Sequence, residues 1–296
     1  MAADPIRTIG FVGAGLMGAP MAYHLARAGF GIRVWNRTRG KLARLIDAGA
    51  QPAASPAEAA DGADAVCVCV TDKAAVESVL FGEGGVAHAA RAAPLLTDFS
   101  TIGPDATLAL AERLRSNCGA SWVDAPVSGG ATGAEQRKLV IFCGGSSADI
   151  DRLAPVYAAI SQRFTHIGGL GAGQALKLCN QLIVATNLVA IAETMNLARS
   201  SGLDLAAIPD ALAGGFADSI PLQIFGRRMA HGIYTPILGE LALMLKDLTA
   251  VDELARGHGN ELPMTHAALA VYLRARDRGL LREDLAALYR LYSPAS

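Results

Sequence analysis

The chain has 296 residues, 52% of them hydrophobic and 18% charged, with a net charge of −1 and a mean hydropathy of +0.32. This length exceeds what one hydrophobic core usually holds, so two domains are expected, and the composition excludes a disordered chain. A near-neutral balance without a basic stripe or acidic tail argues against a general nucleic-acid binder or a membrane-surface protein.

The N-terminus reaches a β-rich run within a few residues, so no signal peptide is expected. TIGFVG, IRVWN, AVCVCV, LLTDFS, SWVDAP and LVIFCGG follow one another as short apolar runs, the pattern of strands covered on both faces. The segments between them, such as APMAYHLARAG and RGKLARLIDAG, have helical spacing and end in glycine. Strand and helix in alternation predict an α/β domain with a doubly wound parallel sheet. From about Ala172 to Ser200 the pattern changes: apart from Gly173 there is no Gly or Pro, and apolar residues recur at helical spacing. LDLAAIPDALAG, LQIFGRRMAHG, ILGELALMLKDLTAVDELARGHG and MTHAALAVYLRARDRG to the end continue as helices. The expected organisation is an α/β domain over 1–165 and an all-helical domain over 166–296, with a long connecting helix at about 172–200. The apolar stretch LIVATNLVAIAETMNLA is interrupted by Asn187, Glu193 and Asn196, and reads as a buried helix rather than a membrane span.

The five cysteines, Cys67, Cys69, Cys118, Cys143 and Cys179, contain no CxxC pair, so neither a disulfide framework nor a zinc site is expected. Cys67 and Cys69 alternate on one strand face, as buried small hydrophobes do. This usage suits a reducing, cytoplasmic compartment. The six histidines are scattered and no HExxH occurs, so no metal is expected.

Directly after the first strand stand Gly13, Gly15 and Gly18, as GxGxxG opening a helix. Gly13 makes the tight turn, Gly15 lets a pyrophosphate approach the backbone, and Gly18 lets the helix pack on the strand. Leu16 and Met17 in this loop, and Val70 and Thr71 after AVCVCV, are counted with the cofactor site. The second strand ends IRVWNRT, with Asn36, Arg37 and Thr38 where an NAD site would carry an acid for the ribose 2′-hydroxyl. A guanidinium can pair bidentately with a 2′-phosphate, so NADP is expected first and NAD second. The plainer alternative is a solvated loop arginine.

Two further loops leave strand ends: DFSTIGP, and DAPVSGGATGAE with Ser128, Gly129 and Gly130. A serine followed by two glycines can aim a hydroxyl and backbone N–H groups at an anion, or form only a turn. GAGQALKLCNQ then places Lys177 among apolar residues at the start of the long helix. A desolvated lysine can serve as general acid or base, although a lysine snorkelling from a helix end is the usual arrangement.

GFVGAGLMGAPM, DFSTIGP, DAPVSGG, GAGQALKLCNQ and LMLKDL stand in the order of the signature segments of the β-hydroxyacid dehydrogenases, and the resemblance runs over essentially the whole chain. It implies a Rossmann domain, then a helical domain that completes the substrate site and assembles dimers or tetramers. By that resemblance Lys177 is the acid/base, Ser128, Gly129 and Gly130 hold the substrate carboxylate, and Thr101 and Lys246 contact the cofactor. The family places an amide a helical turn beyond its lysine; Asn180 comes first here and Gln181 is the alternative. Members of that family that act on small acids often carry an aromatic residue seven positions before the KDL lysine, where this chain has Gly239. Either the pocket has lost a wall, or Leu238 or a neighbour fills the gap. The implied partner is a small hydroxyacid or semialdehyde, such as 3-hydroxyisobutyrate, glycerate, serine or threonine. The competing readings are an imine reductase, which generally lacks a lysine at this position, and a non-catalytic dinucleotide-binding scaffold.

Overall fold

The computed structural model describes residues 5–89 and 95–292, so the end of the segment read as helical to residue 296 lies outside the described residues. Nine strands form one sheet: β1 Thr8–Val12, β2 Gly31–Trp35, β3 Gln51–Pro52, β4 Ala65–Val68, β5 Leu95–Asp98, β6 Ser121–Asp124, β7 Val127–Ser128, β8 Leu139–Gly144 and β9 Ser161–Gly168. Their order is β3-β2-β1-β4-β5-β6-β8-β7, with β9 paired to β8. From β3 to β6 every neighbour is parallel. β8 runs antiparallel to β6 and β7, and parallel to β9.

Successive strand residues point to opposite faces, and both faces are apolar. Ile9, Phe11, Cys67, Leu95 and Val123 enter one core, while Val12, Val66, Val68, Leu96 and Trp122 enter the other. Burial pushes the Cys69 and Cys143 thiols up to about 12 and the Cys67 thiol higher still, which makes these groups inert filling.

The six strands expected from sequence are β1, β2, β4, β5, β6 and β8. The structure adds three. β3 and β7 are two residues each, and β7 occupies part of what reads from sequence as a loop. β9, SQRFTHIG, is mostly exposed and carries neither alternation nor an apolar run, so pairing with β8 defines it rather than local pattern.

The chain divides into two compact units, Met1–Lys177 and Leu178–Ser296. The connecting helix, Ala172–Ser200, begins in the first and continues in the second. Its residues Leu178, Ala185, Leu188, Ala192 and Met195 are buried at helical spacing in a core shared with Met244, Leu248 and Tyr272. By length and composition this helix alone, among the described residues, could cross a membrane; its apolar stripe forms the core of the helical unit instead. The described part of that unit holds helices and one isolated bridge, Glu240 to Asp284. The segment expected to be helical from Ile237 starts its helix at Leu241. Leu238 N donates to Asp284 Oδ2, Leu241 N to Glu283 O, and Leu285 N to Gly239 O, bonds that hold residues 238–241 extended against 283–285.

Candidate active site

The sheet order reverses at β1, between β2 and β4, and ligands of such sheets bind outside the carboxyl ends of the strands at this point. The glycine loop leaves β1 there. Gly13 has φ +102°, and a Cβ on it would run into the Cys69 carbonyl oxygen and Val70. A Cβ on Gly18 would drive into the Gly13 carbonyl oxygen, so the helix packs this closely on the turn only with glycine at position 18. A Cβ on Gly15 would meet nothing within 4 Å, which leaves the backbone open to a ligand. Helix Gly18–Arg27 has no acidic residue in its first turn, so its N-terminus is electrostatically available to an anion. Leu16 is exposed and Met17 packs on the core. These features fit a dinucleotide pyrophosphate.

Asn36 has a structural task that the sequence reading missed. Its Oδ1 accepts from Ala14 N at 3.0 Å and its Nδ2 donates to Thr38 O at 2.9 Å, so it ties the glycine loop to the turn after β2. Arg37 and Thr38 lie exposed on that turn. Val70 N donates to Ser100 Oγ at 3.0 Å, and the exposed Thr71 donates its hydroxyl to Asp72, which caps helix Lys73–Phe81.

The start of the connecting helix is fixed from two sides. Asp124, wholly buried at the end of β6, accepts from Gly171 N at 2.7 Å and from Gln174 N at 2.8 Å. Burial pushes its carboxyl up to about 6, against these N–H groups, which pull it down. The Gln174 side chain, also wholly buried, accepts from Ile102 N and Gly103 N at 3.1 Å each and donates to Ser100 O at 2.8 Å. The loop bearing Thr101 is thereby bonded on both sides of that residue. Lys177 follows Gln174 by three positions, near one helical turn, and is 7% exposed. Sequence reasoning singled out Lys177 but neither Asp124 nor Gln174. The only signal for them was a charge in an apolar strand and an amide in an apolar helix.

Ser128 is half-buried on β7, opposite Val140 of β8. Gly129 and Gly130 follow with φ +120° and +59°, exposed at the head of helix Gly130–Glu135. Glu135, at its end, pairs with Arg44 at 2.8 Å, and its carbonyl oxygen meets His24 Nε2 at 2.9 Å. The Ser128–Gly130 turn is thus tied to the helix that opens with the glycine loop.

In the helical unit, Gln181 is buried and Asn180 half-buried. Asn180 Nδ2 donates to Gln181 Oε1 at 2.9 Å, and Gln181 Nε2 donates to Asp247 Oδ2 at 2.6 Å. Lys246 Nζ pairs with Asp247 Oδ1 at 3.2 Å. Asp247, a residue the sequence did not single out, therefore joins Asn180, Gln181 and Lys246 into one polar chain. A Cβ on Gly239 would lie 3.1 Å from Leu285 Cδ1, so the space beside this glycine is taken by a buried leucine of the helical core.

Among the described residues, no group of three or more His, Cys, Asp or Glu could hold a metal ion. Residues 8–168 match the family described as the NAD binding domain of 6-phosphogluconate dehydrogenase, and residues 171–292 that described as NAD-binding of NADP-dependent 3-hydroxyisobutyrate dehydrogenase. The chain is 35% identical over 281 residues to the 2-hydroxy-3-oxopropionate reductase of Escherichia coli (strain K12), covering 95% of each. A crystal structure of 3-hydroxyisobutyrate dehydrogenase (ygbJ) from Salmonella typhimurium matches with a TM-score of 0.89 at 31% identity, over 97% of this chain and 100% of that one. Psf3, solved in complex with NADP+ and 2-OPP, matches with a TM-score of 0.87 at 25% identity, over 96% and 100%. An imine reductase of Streptomyces aurantiacus, at 20% identity and a TM-score of 0.65 over 97% and 100%, shares the fold alone. Matched along nearly its whole length, the chain belongs to the β-hydroxyacid dehydrogenase family and is an NAD(P)-dependent oxidoreductase acting on a CH–OH group.

Proposed function

We propose that the protein interconverts a β-hydroxyacid, a 3-hydroxy carboxylate or β-hydroxy amino acid, and its semialdehyde or ketone, with NADP as cofactor and Lys177 as general acid/base. The observation that carries this reading is a buried lysine one turn beyond an amide that clamps a strand-end loop of a dinucleotide-binding sheet. The bound nicotinamide supplies the hydride acceptor in oxidation and the donor in reduction. Lys177 Nζ takes the hydroxyl proton in one direction and returns it to the carbonyl oxygen in the other, its charged form also polarising that carbonyl. An amine that can hold a proton in one direction and take it up in the other suits both tasks. Asn180 and Gln181, linked to each other, are assigned to orient the reacting oxygen. Ser128 with the N–H groups of Gly129 and Gly130 is assigned to the substrate carboxylate.

Gly13, Gly15 and Gly18, with Leu16 and Met17, would hold the pyrophosphate, and Val70, Thr71, Thr101 and Lys246 are assigned as further cofactor contacts. Arg37, with Asn36 and Thr38, would take the 2′-phosphate. One charge-assisted hydrogen bond contributes about 1.5–3 kcal/mol, so Arg37→Asp should weaken NADP binding by about ten- to a hundredfold and NAD binding little. Equal kcat/KM for both cofactors in the unmodified enzyme would overturn the preference.

Ser128→Ala should raise KM for the hydroxyacid about tenfold or more, with a smaller change in kcat, because the hydroxyl binds ground and transition states alike. Comparing a 3-hydroxyacid with its methyl ester tests the proposed function: the ester should turn over far more slowly, and equal turnover would remove the carboxylate site. The same reading takes residues 1–165 as the cofactor domain and 166–296 as the domain of substrate-site completion and assembly, in a cytoplasmic homodimer or homotetramer. Free cysteines among the described residues suit that compartment.

A further inference from the structure

We infer that Gln174 is a positioning residue of the reaction, one that sets the loop bearing Thr101 against the helix bearing Lys177; the inference rests on the function proposed above. The loop after β5 presents two backbone donors, Ile102 N and Gly103 N, and one acceptor, Ser100 O, to a single side chain. A neutral amide answers that set: its oxygen takes both donors and its nitrogen satisfies the acceptor. The bonds lie on either side of Thr101, so the peptide groups flanking it are held by a residue three positions before Lys177. Ser100 extends the restraint, since its Oγ accepts from Val70 N in the loop after β4. The backbone N–H of Gln174 is in turn held by Asp124 at the end of β6. Loops from three adjacent strands thus share one reference point, the first turn of the helix that carries the lysine. Reactions of this kind are sensitive to such placement, and a displacement of about 1 Å can cost about a hundredfold in rate.

The test compares Gln174→Glu and Gln174→Met in the full-length enzyme, with kcat, cofactor KM and thermal melting measured together. Glu keeps the length and both acceptor bonds, but its ionised form sets an oxygen against Ser100 O. At neutral pH its kcat per folded molecule should fall about tenfold or more while the cofactor KM rises. As the pH is lowered, the ratio of its kcat to that of the unmodified enzyme should climb, because a neutral carboxyl can again donate to Ser100 O. The other titratable groups on the packed elements are Asp98, whose Oδ1 accepts from Ser100 N, together with Asp124 and Lys177. All three are common to both enzymes, so a ratio that changes with pH reports the carboxyl at position 174 and its coupling to them. Gln174→Met fills the same space without the bonds and should show a similar loss with a ratio that does not change with pH. It also carries the test if the Glu variant does not fold. Turnover per folded molecule at the unmodified level in either variant, or a Glu ratio that stays flat with pH, overturns the assignment. Lys177→Ala is measured alongside: an active Ala variant removes the proposed function and this inference with it. An inactive one beside a fully active Gln174→Glu removes the inference alone.

Discussion

Lys177→Ala is expected to leave a folded protein whose kcat is lower by about 10²–10⁴-fold, the usual contribution of general acid–base catalysis. The first turn of the helix does not depend on Lys177, because Asp124 and Gln174 hold it through backbone and side-chain bonds. Cofactor affinity should therefore stay close to that of the unmodified enzyme, and melting should change little. Lys177→Arg should not restore turnover, since a guanidinium keeps its proton at any working pH and cannot act as a base. In the oxidation direction, activity of the unmodified enzyme should rise with pH as the lysine loses its proton, and that limb should vanish in both variants. If Lys177 served only to anchor the helix, the Ala variant would melt earlier and turn over normally per folded molecule. Measuring kcat beside thermal melting separates the two cases.

Asp124→Asn is expected to destabilise the first unit by about 1–3 kcal/mol, the cost of leaving a buried backbone donor without an acceptor. The carboxyl group offers one oxygen to Gly171 N and the other to Gln174 N, and both oxygens keep a lone pair for these N–H groups when the group is protonated. An asparagine keeps one acceptor and turns an NH2 group toward the second N–H. The pH dependence has a definite sign. Burial raises the native carboxyl from 3.8 to about 6, so between those values the native state binds more protons than the unfolded chain. The stabilisation this group contributes is fully present below the unfolded value and is lost as pH rises through about 6. Asparagine does not titrate, so the stability gap between the two proteins should be widest in acid and narrow towards neutrality. Urea unfolding from about pH 4 to about pH 7 measures it. Superimposable stability curves for the two proteins would contradict this account of Asp124.

Some parts of this molecule announce themselves locally and others do not. Gly13 and Gly18 were legible because the positive φ of the one and the close approach of the other to the Gly13 carbonyl exclude a Cβ, and both requirements fall within a few residues of sequence. The helix Ala172–Ser200 was legible because no Gly or Pro stands between Gln174 and Ser200. Asp124 and Gln174 were not: their partners lie 47 to 74 residues away, and helical or strand periodicity carries no record of such pairings. Asp247 escaped notice for the same reason, being separated from Gln181 by 66 residues. Gly239 shows a further limit. A missing aromatic side chain reads in sequence as a lost wall, whereas the direction of the absent Cβ, toward Leu285, is a property of the folded backbone. The strand β9 lies between these cases, since its mostly exposed sequence becomes a strand only beside β8.

The central claim is that this chain moves a hydride to or from a β-hydroxyacid with Lys177 handling the proton. Initial rates at the nicotinamide absorbance band test it most directly, taken in both directions and with both cofactors. The panel is 3-hydroxyisobutyrate, glycerate, serine, threonine and the matching semialdehydes, with cyclic imines as the comparison. The predicted result is NADP-linked turnover of at least one β-hydroxyacid couple, abolished in Lys177→Ala and absent with imines. A folded protein that binds the dinucleotide yet turns over only imines, or none of the panel, would contradict it.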